Sequence, residues 1–405
     1  MLNRRTLRIK AMQAIFGYWQ AEGANAHLAL DQIAAEFEPD LMAEVPQDRR
    51  RLEGERQLGE LAFTEWRAAR RAGTPQAAFA ADDTITEATV RAAVNNATRR
   101  YESGLQRDAK RLDHELLAAV ERIYDHYLLT LLLPEALQRL IIDEREQLAR
   151  PTRSGEPRPA TLNTTRLLTN PAIEKLLANP QLRERAIQRD LKWEGDDLKM
   201  LRDFYLSTFK DDEELRAYLV KPGELTYDEH QEALRHLLKG LVFKDEGLEA
   251  WFAARDLNWE ENRPVVRSLV NKTIKSLTAD APIDEPLLDL SPNWQEDQEF
   301  YEALYHRAIQ DDAQYEQLII STLQNWDVER VALTDRILLK LALAEMHLFR
   351  DIPVKVTINE YIEISKLYST PKSKQFINGI LDKLAQELTQ SGAIRKSGKG
   401  LLDNK

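Results

Sequence analysis

Residues 353–384 read PVKVTINEYIEISKLYSTPKSKQFINGILDKL and combine two amphipathic helical patterns with a short basic turn between them. In the first pattern, Ile358, Ile362 and Ser365 recur at helical spacing on one face, and Tyr361 widens that face. The second pattern repeats apolar residues every three or four positions: Phe376, Ile377, Ile380, Leu381, Leu384 and Leu388. The stretch therefore predicts two helices that pack through their apolar faces.

The turn between these helices is basic, with Lys366, Lys372 and Lys374 around Pro371. Proline fits the first turn of a helix, where its missing N–H is not needed, so we place Pro371 at the start of the second helix. Gly379 lies inside that helix, where glycine costs about 1 kcal/mol relative to alanine. We expect another group to approach closely at Gly379.

The composition predicts an almost wholly helical protein. The chain has 405 residues and 43% hydrophobic content, enough for two or three domains, with only 15 glycines and 16 prolines. The absence of cysteine excludes disulfides and thiolate chemistry and favours a reducing compartment. No apolar run approaches the roughly 20 residues that span a bilayer, and the N-terminus lacks a continuous apolar signal segment. We therefore expect a cytoplasmic protein with no membrane partner.

Charge is distributed unevenly along the chain, although the formal net charge is −11. The first 20 residues contain Arg4, Arg5, Arg8 and Lys10 and no acidic residue. Because charges separated by more than about 8 to 10 Å are screened at physiological salt, a local basic patch can bind phosphates despite a negative total.

Helical patterns and predicted linkers alternate along the rest of the chain, without a clean internal repeat. The pattern over residues 105–148 is strong, and Pro134 predicts a break in it. Residues 151–161 and 281–294 have the proline-rich, polar composition of linkers. From residue 297 to 388 the helical signal is continuous apart from short turns.

A search for catalytic and metal-binding patterns finds none. The seven histidines form no pair at helical ligand spacing, and HExxH, GxSxG and GxGxxG are all absent. We therefore expect no enzyme activity, no cofactor and no metal site. What remains is a binding pattern, because arginines donate to phosphate oxygens, and Phe376 beside Lys372 and Lys374 suits base stacking next to a charged backbone. A core position for Phe376 and a solvated arginine face stay open as alternatives.

Several segments together resemble the NusB family of transcription antitermination factors. They are RRTLRIKAMQAIFGYWQ (4–20), DQEFYEALYHRAIQDDAQYEQLI (297–319), VALTDRILLKLALAEMHL (331–348), IPVKVTINEYIEISKLY (352–368) and KQFINGILDKL (374–384). The first is similar to the arginine-rich first helix of that family, and the last two resemble its most specific signature. The resemblance implies an all-α, NusB-like fold of two small helical bundles, here with an additional helical insertion.

The resemblance also implies a function without catalysis. Such a protein would bind the boxA element of ribosomal RNA transcripts together with the ribosomal protein NusE, and would keep RNA polymerase processive within an antitermination complex. Family positions place RNA contacts at Arg4, Arg5, Arg8, Tyr368, Phe376 and Asn378, and we predict further contacts from the nearby basic residues Lys10, Lys372 and Lys374. Phe16 lies where the family has an aromatic residue on the NusE side. Thr6 and Lys372 depart from the family pattern, which changes the expected phosphate contacts.

The length of the chain departs most from the compact family and resembles a long form of the Bacteroidetes type. We predict a NusB-like core from residues 1–22 and 295–390, a mostly helical insertion at 23–294, and a flexible basic tail at 391–405. The insertion would either pack beside the core or offer a further partner surface.

Two other functions remain open on the sequence. A helical protein-interaction scaffold without sequence-specific RNA binding would have the same helical patterns. A domain associated with RNA methyltransferases would need a methyl-donor domain and a catalytic cysteine, and this chain has no cysteine.

Overall fold

The computed structural model describes residues 2–40, 42, 47–72, 88–150, 162–323 and 331–404, and it contains no strand within those ranges. The helices are α1 (Arg4–Glu36), α2 (Arg49–Arg71), α3 (Ala88–Ala149), α4 (Thr165–Leu168), α5 (Pro171–Ala178), α6 (Pro180–Gln188), α7 (Asp197–Phe204), α8 (Glu213–Val220), α9 (Tyr227–Arg235), α10 (Glu246–Arg255), α11 (Trp259–Ser276), α12 (Trp294–Gln310), α13 (Asp312–Thr322), α14 (Leu333–Leu348), α15 (Val354–Tyr368) and α16 (Ser373–Gln390). The predicted all-α fold class is confirmed. Among the described helices, none combines the length and apolar character that crossing a membrane requires.

The chain divides into two compact units. One comprises Arg4–Leu117 with Gln295–Lys405, and the other comprises Met1–Asn3 with Ala118–Trp294. We call them the terminal unit and the middle unit. The division at 294 coincides with one boundary of the predicted core, but the terminal unit also includes residues 23–117. The assignment of a core and an insertion stays a prediction.

The terminal unit has α14 at the centre of its C-terminal part. Residues 337–346 of α14 are all buried, including the charged Lys340 and Glu345. Helix α15 buries Ile358, Tyr361 and Ile364, whereas Ile362 is only half-buried. Helix α16 buries one apolar stripe: Ile377, Leu381, Leu384 and Leu388. The predicted helix pair is confirmed, and full burial of each such aliphatic side chain contributes roughly 1.5–3 kcal/mol.

The terminal unit has a second core where the C-terminal half of α1 packs with α2 and the beginning of α3. Phe63 stacks on Trp66, and Tyr101 meets both rings edge-to-face, with ring centroids 5.7 to 5.9 Å apart. Glu22 of α1 accepts two hydrogen bonds from Arg67, both at 2.8 Å, and one from the Tyr101 hydroxyl at 2.6 Å. Helix α1 therefore extends well past residue 22 and connects both cores of this unit.

The middle unit contains an internal repeat that our sequence analysis missed. LRDFYLSTFKDDEELRAYL (201–219) and LRHLLKGLVFKDEGLEAWF (234–252) align without a gap at an offset of 33 residues. In each copy an α-helix passes into a π-helical turn, which is Tyr205–Phe209 in the first copy and His236–Leu241 in the second. A helix with an aspartate at its N-cap follows. The caps, Asp212 and Asp245, accept from the backbone N–H of Leu215 and Leu248, both at 2.8 Å. The copies share a burial pattern rather than many identical residues, which is why the repeat is hard to see in the sequence.

Two of the expected helix boundaries are wrong. Helix α3 continues through Pro134, because the neighbouring Leu131, Leu133 and Leu137 are fully buried and offset the roughly 3 kcal/mol cost of an internal proline. Pro371 precedes α16, which begins at Ser373, and lies in the turn itself. The linker predicted at 151–161 lies outside the described residues, and the one at 281–294 is non-helical up to α12.

Residues after α16 pack back on the terminal unit in the structure. The Ser397 N–H donates to the Arg350 carbonyl at 2.9 Å, and Lys396 Nζ donates to the Phe349 carbonyl at 2.8 Å. Ile394 is buried, and Gly398–Asn404 forms a 3₁₀ helix. The segment that we predicted as a flexible tail thus has defined contacts in its described part.

Candidate nucleic-acid interface

The turn between α15 and α16 is held in place by a buried serine. The Ser373 hydroxyl donates to Asp335 Oδ2 on α14 at 2.7 Å, and the hydroxyls of Ser369 and Thr370 lie 3.0 and 2.8 Å from it. Ser373 and Asp335 are both buried. Because a hydroxyl can donate once and accept twice, the Ser373 hydroxyl can bond all three neighbours at once and fixes the turn against α14.

Beyond this fixed turn, the predicted RNA-binding residues of α16 lie on its exposed side. Lys372, Phe376 and Gly379 follow one another at helical spacing and form one strip, in which Phe376 is half-buried and the other two are exposed. We call these three residues the α16 strip. Lys374 and Asn378 form a second exposed strip around the helix, where Asn378 donates to Asp382 at 3.0 Å. Tyr368, at the end of α15, is half-buried.

The glycine of the α16 strip has no structural role within the described chain. A Cβ built at Gly379 would meet no atom within 4 Å, and its backbone is ordinary helix. The close approach that we expected at this position is therefore not made by any of the described residues. An exposed helical glycine that packing does not require costs stability, and it leaves the backbone open to an external ligand.

The first turn of α1 lies against α15 and α12. Arg5 donates two hydrogen bonds to Glu360 of α15, each at 2.8 Å. Arg4 pairs with Glu296, lies 3.6 Å from Asp297, and has its guanidinium 5.0 Å from the centre of the Phe300 ring. At a rise of about 1.5 Å per residue, Glu360 lies about 12 Å along α15 from Tyr368. Folding thus brings the basic start of α1 to the helix pair that carries the α16 strip.

Arg8 and Lys10, by contrast, are buried. Arg8 donates two hydrogen bonds to Glu345 of α14, each at 2.7 Å, and Glu345 also accepts from Thr357 at 2.9 Å and Tyr361 at 3.1 Å. Burial opposes the charged form of Arg8, but the hydrogen bonds and the attraction of Glu345 outweigh it and raise the pKa of the guanidinium. Lys10 is only 2% exposed. The sequence signal for the ion pair between Arg8 and Glu345 was Glu345 itself, an acidic residue within the apolar run of α14.

The arginines therefore differ in how readily they could contact a phosphate. The Arg4 and Arg5 side chains are 32% and 44% exposed, and exposed ion pairs contribute only about 0–1 kcal/mol, so a phosphate could replace their carboxylate partners at little cost. The Arg5 hydrogen bond also lowers the pKa of Glu360, so this partner stays ionised at neutral pH. Removing Arg8 from Glu345 would leave a buried carboxylate unpaired, which costs about 3–5 kcal/mol.

Phe16, predicted for a protein partner, is one of the exposed large apolar side chains, at 42% exposure on α1.

Within the described part of the chain, no three histidine, aspartate or glutamate side chains come together as they would around a metal ion. The arrangement offers cations, a half-buried aromatic ring and an open helix surface, which suit binding to a nucleic acid.

Comparison with known proteins identifies the C-terminal region. The model described as the NusB family matches residues 265–386, which include the α16 strip and leave α1 outside the match. "Transcription antitermination protein NusB" of Chloroherpeton thalassium is 42% identical over 105 residues, 26% of this chain and 50% of that protein. The protein of that name from Salinibacter ruber is 36% identical over 104 residues, 26% of this chain and 65% of that protein.

A third relative is covered more fully. "Transcription antitermination protein NusB" of Bacillus subtilis is 38% identical over 92 residues, which are 23% of this chain and 70% of that protein. The chain thus spans between half and about two thirds of the first two relatives and slightly more of the third. No solved structure matches the chain. From the family match and the extent of identity to the Bacillus subtilis protein, the chain belongs to the NusB family.

Proposed function

We propose that this protein is a non-enzymatic transcription antitermination factor that binds boxA RNA together with the ribosomal protein NusE. In this role it would act in the cytoplasm, as part of an antitermination complex that keeps RNA polymerase processive on ribosomal RNA genes. Family membership and the names of the relatives support the role in transcription antitermination. The exposed cations around the turn support binding to RNA.

The α16 strip is the observation that carries this proposal. Its lysine attracts the RNA backbone, its half-buried phenylalanine keeps part of its ring accessible for a base to stack on, and its glycine leaves the helix surface open. Ser373 fixes the strip in position, because it is hydrogen-bonded to α14. A site built on a rigid turn loses little conformational entropy when RNA binds.

The other predicted residues take different roles in the proposal. Arg4 and Arg5 bind phosphates by exchanging their exposed carboxylate partners, and Lys374 and Asn378 bind from the second strip of α16. Arg8 acts as a positioning residue that holds α1 against α14. Phe16, exposed on α1, is the proposed contact with NusE.

Replacing Gly379 by alanine tests whether RNA approaches this helix closely. We expect Gly379→Ala to stabilise the fold by roughly 0.5–1 kcal/mol, because none of the described residues would clash with the new methyl group. The same variant should bind boxA RNA roughly tenfold more weakly, or about 1.4 kcal/mol, because that methyl group occupies the proposed contact surface. Thermal unfolding and fluorescence anisotropy with labelled RNA measure the two effects.

Gly54 of α2 provides a matched control, since it is also an exposed helical glycine whose added Cβ would meet nothing within 4 Å. Gly54→Ala should stabilise the protein to a similar degree without changing its affinity for RNA. Unchanged RNA affinity in Gly379→Ala, or an equal loss in Gly54→Ala, would contradict a close RNA contact at this strip.

A further inference from the structure

A basic face of α3 is unused by the site described above. The exposed residues of α3 between positions 96 and 111 are Asn96, Arg99, Arg100, Ser103, Gln106, Arg107, Lys110 and Arg111. Five of these eight are basic and none is acidic, in a protein whose formal net charge is −11. We call this surface the α3 stripe, and from Arg99 to Arg111 it extends about 18 Å along the helix.

Much of the positive charge of the α3 stripe is uncompensated. The ion pairs among the described residues include none to Arg100, Arg107 or Lys110. Arg99 donates to the Asn95 carbonyl at 3.3 Å and to the Asn96 side chain at 2.9 Å, both of which are neutral. Arg111 alone lies near carboxylates, 3.6 Å from both Asp108 and Glu115. An ordinary solvated helix face usually intersperses both signs of charge, and this one does not.

The composition of the stripe favours a phosphate backbone over a protein surface as its partner. None of its exposed residues is apolar or aromatic. Protein interfaces usually have an apolar or aromatic centre, whereas phosphate contacts need only charge and hydrogen-bond donors. Because the stripe also lacks a ring for base stacking, it would bind RNA without regard to sequence.

The stripe is connected to the proposed RNA site through α1. A Cβ on Gly17 would lie 3.6 Å from Leu112, and Asn25 donates to Asp108 at 2.6 Å, so α1 and α3 run antiparallel side by side. From Arg4 to Gly17 the distance along α1 is about 20 Å. A strand that reaches from Arg4 to the near end of the stripe spans about 20 Å, or about six nucleotides at the 3.4 Å rise of a stacked strand, and the stripe itself adds about five more.

We propose that the α3 stripe binds, independently of sequence, the RNA that flanks the boxA element. This inference rests on the proposed function, because it takes RNA as the ligand of the terminal unit. It gives part of the long N-terminal region a role, namely to lengthen the electrostatic contact with the transcript.

The test compares RNA of different lengths. The probes are the boxA element alone, the same element extended by about 12 unstructured nucleotides at its 5′ or its 3′ end, and a scrambled element both alone and with the same extensions. The parent should bind one of the extended boxA RNAs more tightly than the short one. The variant Arg100→Gln/Arg107→Gln/Lys110→Gln should lose this gain, on the order of tenfold to a hundredfold at low salt, and its salt slope should fall by about 2, or 0.7 per lost phosphate contact.

The control variant removes three other exposed and unpaired cations, all from the middle unit: Arg202→Gln/Lys244→Gln/Lys272→Gln. It changes the net charge by the same amount and should keep the gain from extension. The proposal is overturned if neither extension raises affinity, if the stripe variant weakens the short RNA as much as the long one, or if the control variant loses the same gain. A different result would count against the proposed function itself, namely equal binding of short boxA RNA and short scrambled RNA to the parent.

Discussion

Arg8→Ala is expected to lower the free energy of unfolding by about 3–5 kcal/mol, because it leaves a buried carboxylate without its partner. Arg8 is the bidentate partner of Glu345, which is 0% exposed. Without the guanidinium, a carboxylate would remain buried with only the hydroxyls of Thr357 and Tyr361 as donors. Chemical denaturation followed by circular dichroism measures the loss.

Arg5→Ala is the matched control, since Arg5 also makes a bidentate pair but is 44% exposed. Its loss should cost no more than about 1 kcal/mol. The double variant Arg8→Met/Glu345→Leu should be more stable than Arg8→Ala, because apolar side chains of similar size can replace a buried ion pair. Equal effects of Arg8→Ala and Arg5→Ala would contradict a buried, structural role for Arg8.

Phe376→Ala is expected to weaken binding of boxA RNA by about 1–3 kcal/mol, the usual contribution of an aromatic side chain on which a base stacks. Phe376 is only half-buried, unlike Ile377 and Leu381 beside it, so part of its side chain is accessible to RNA. Fluorescence anisotropy with labelled boxA RNA measures the loss, and thermal unfolding shows whether the variant is folded.

Phe16→Ala is the control that removes an exposed aromatic ring on which no base is proposed to stack. Phe16 is 42% exposed on α1 and is the proposed contact with NusE, so its removal should leave binding of RNA alone unchanged. If Phe376→Ala binds RNA as tightly as the parent while its unfolding temperature falls, the ring is a core residue and the stacking proposal is wrong.

The two halves of the candidate site differ in how well the sequence predicts them. The apolar periodicity of residues 353–384 directly reflects which faces of α15 and α16 are buried, so the helix pair and its exposed lysines could be predicted. The roles of the arginines could not, because they depend on residues that are distant in the chain. Arg8 is buried only because Glu345 lies opposite it, whereas Arg4 and Arg5 meet acids at the surface.

The long region before α12 was likewise only partly predictable from the sequence. Its abundance of Ala, Arg and Glu predicts helices, but only the three-dimensional arrangement separates residues 23–117 from the middle unit and shows that basic residues of α3 share one exposed face. The 33-residue repeat was missed because its copies retain burial rather than identity. Pro134 was misread because local propensity gave way to the burial of neighbouring leucines.

The most direct test of the proposed function is the affinity of the full chain for boxA RNA and for a scrambled RNA of the same length and composition, each measured with and without NusE. We expect tighter binding to boxA RNA, a larger preference when NusE is present, and an affinity that falls as salt increases, because exposed cations at the turn and on α1 contact phosphates. Equal affinity for the two RNAs under both conditions would contradict sequence-specific RNA binding and would favour a helical protein-interaction scaffold.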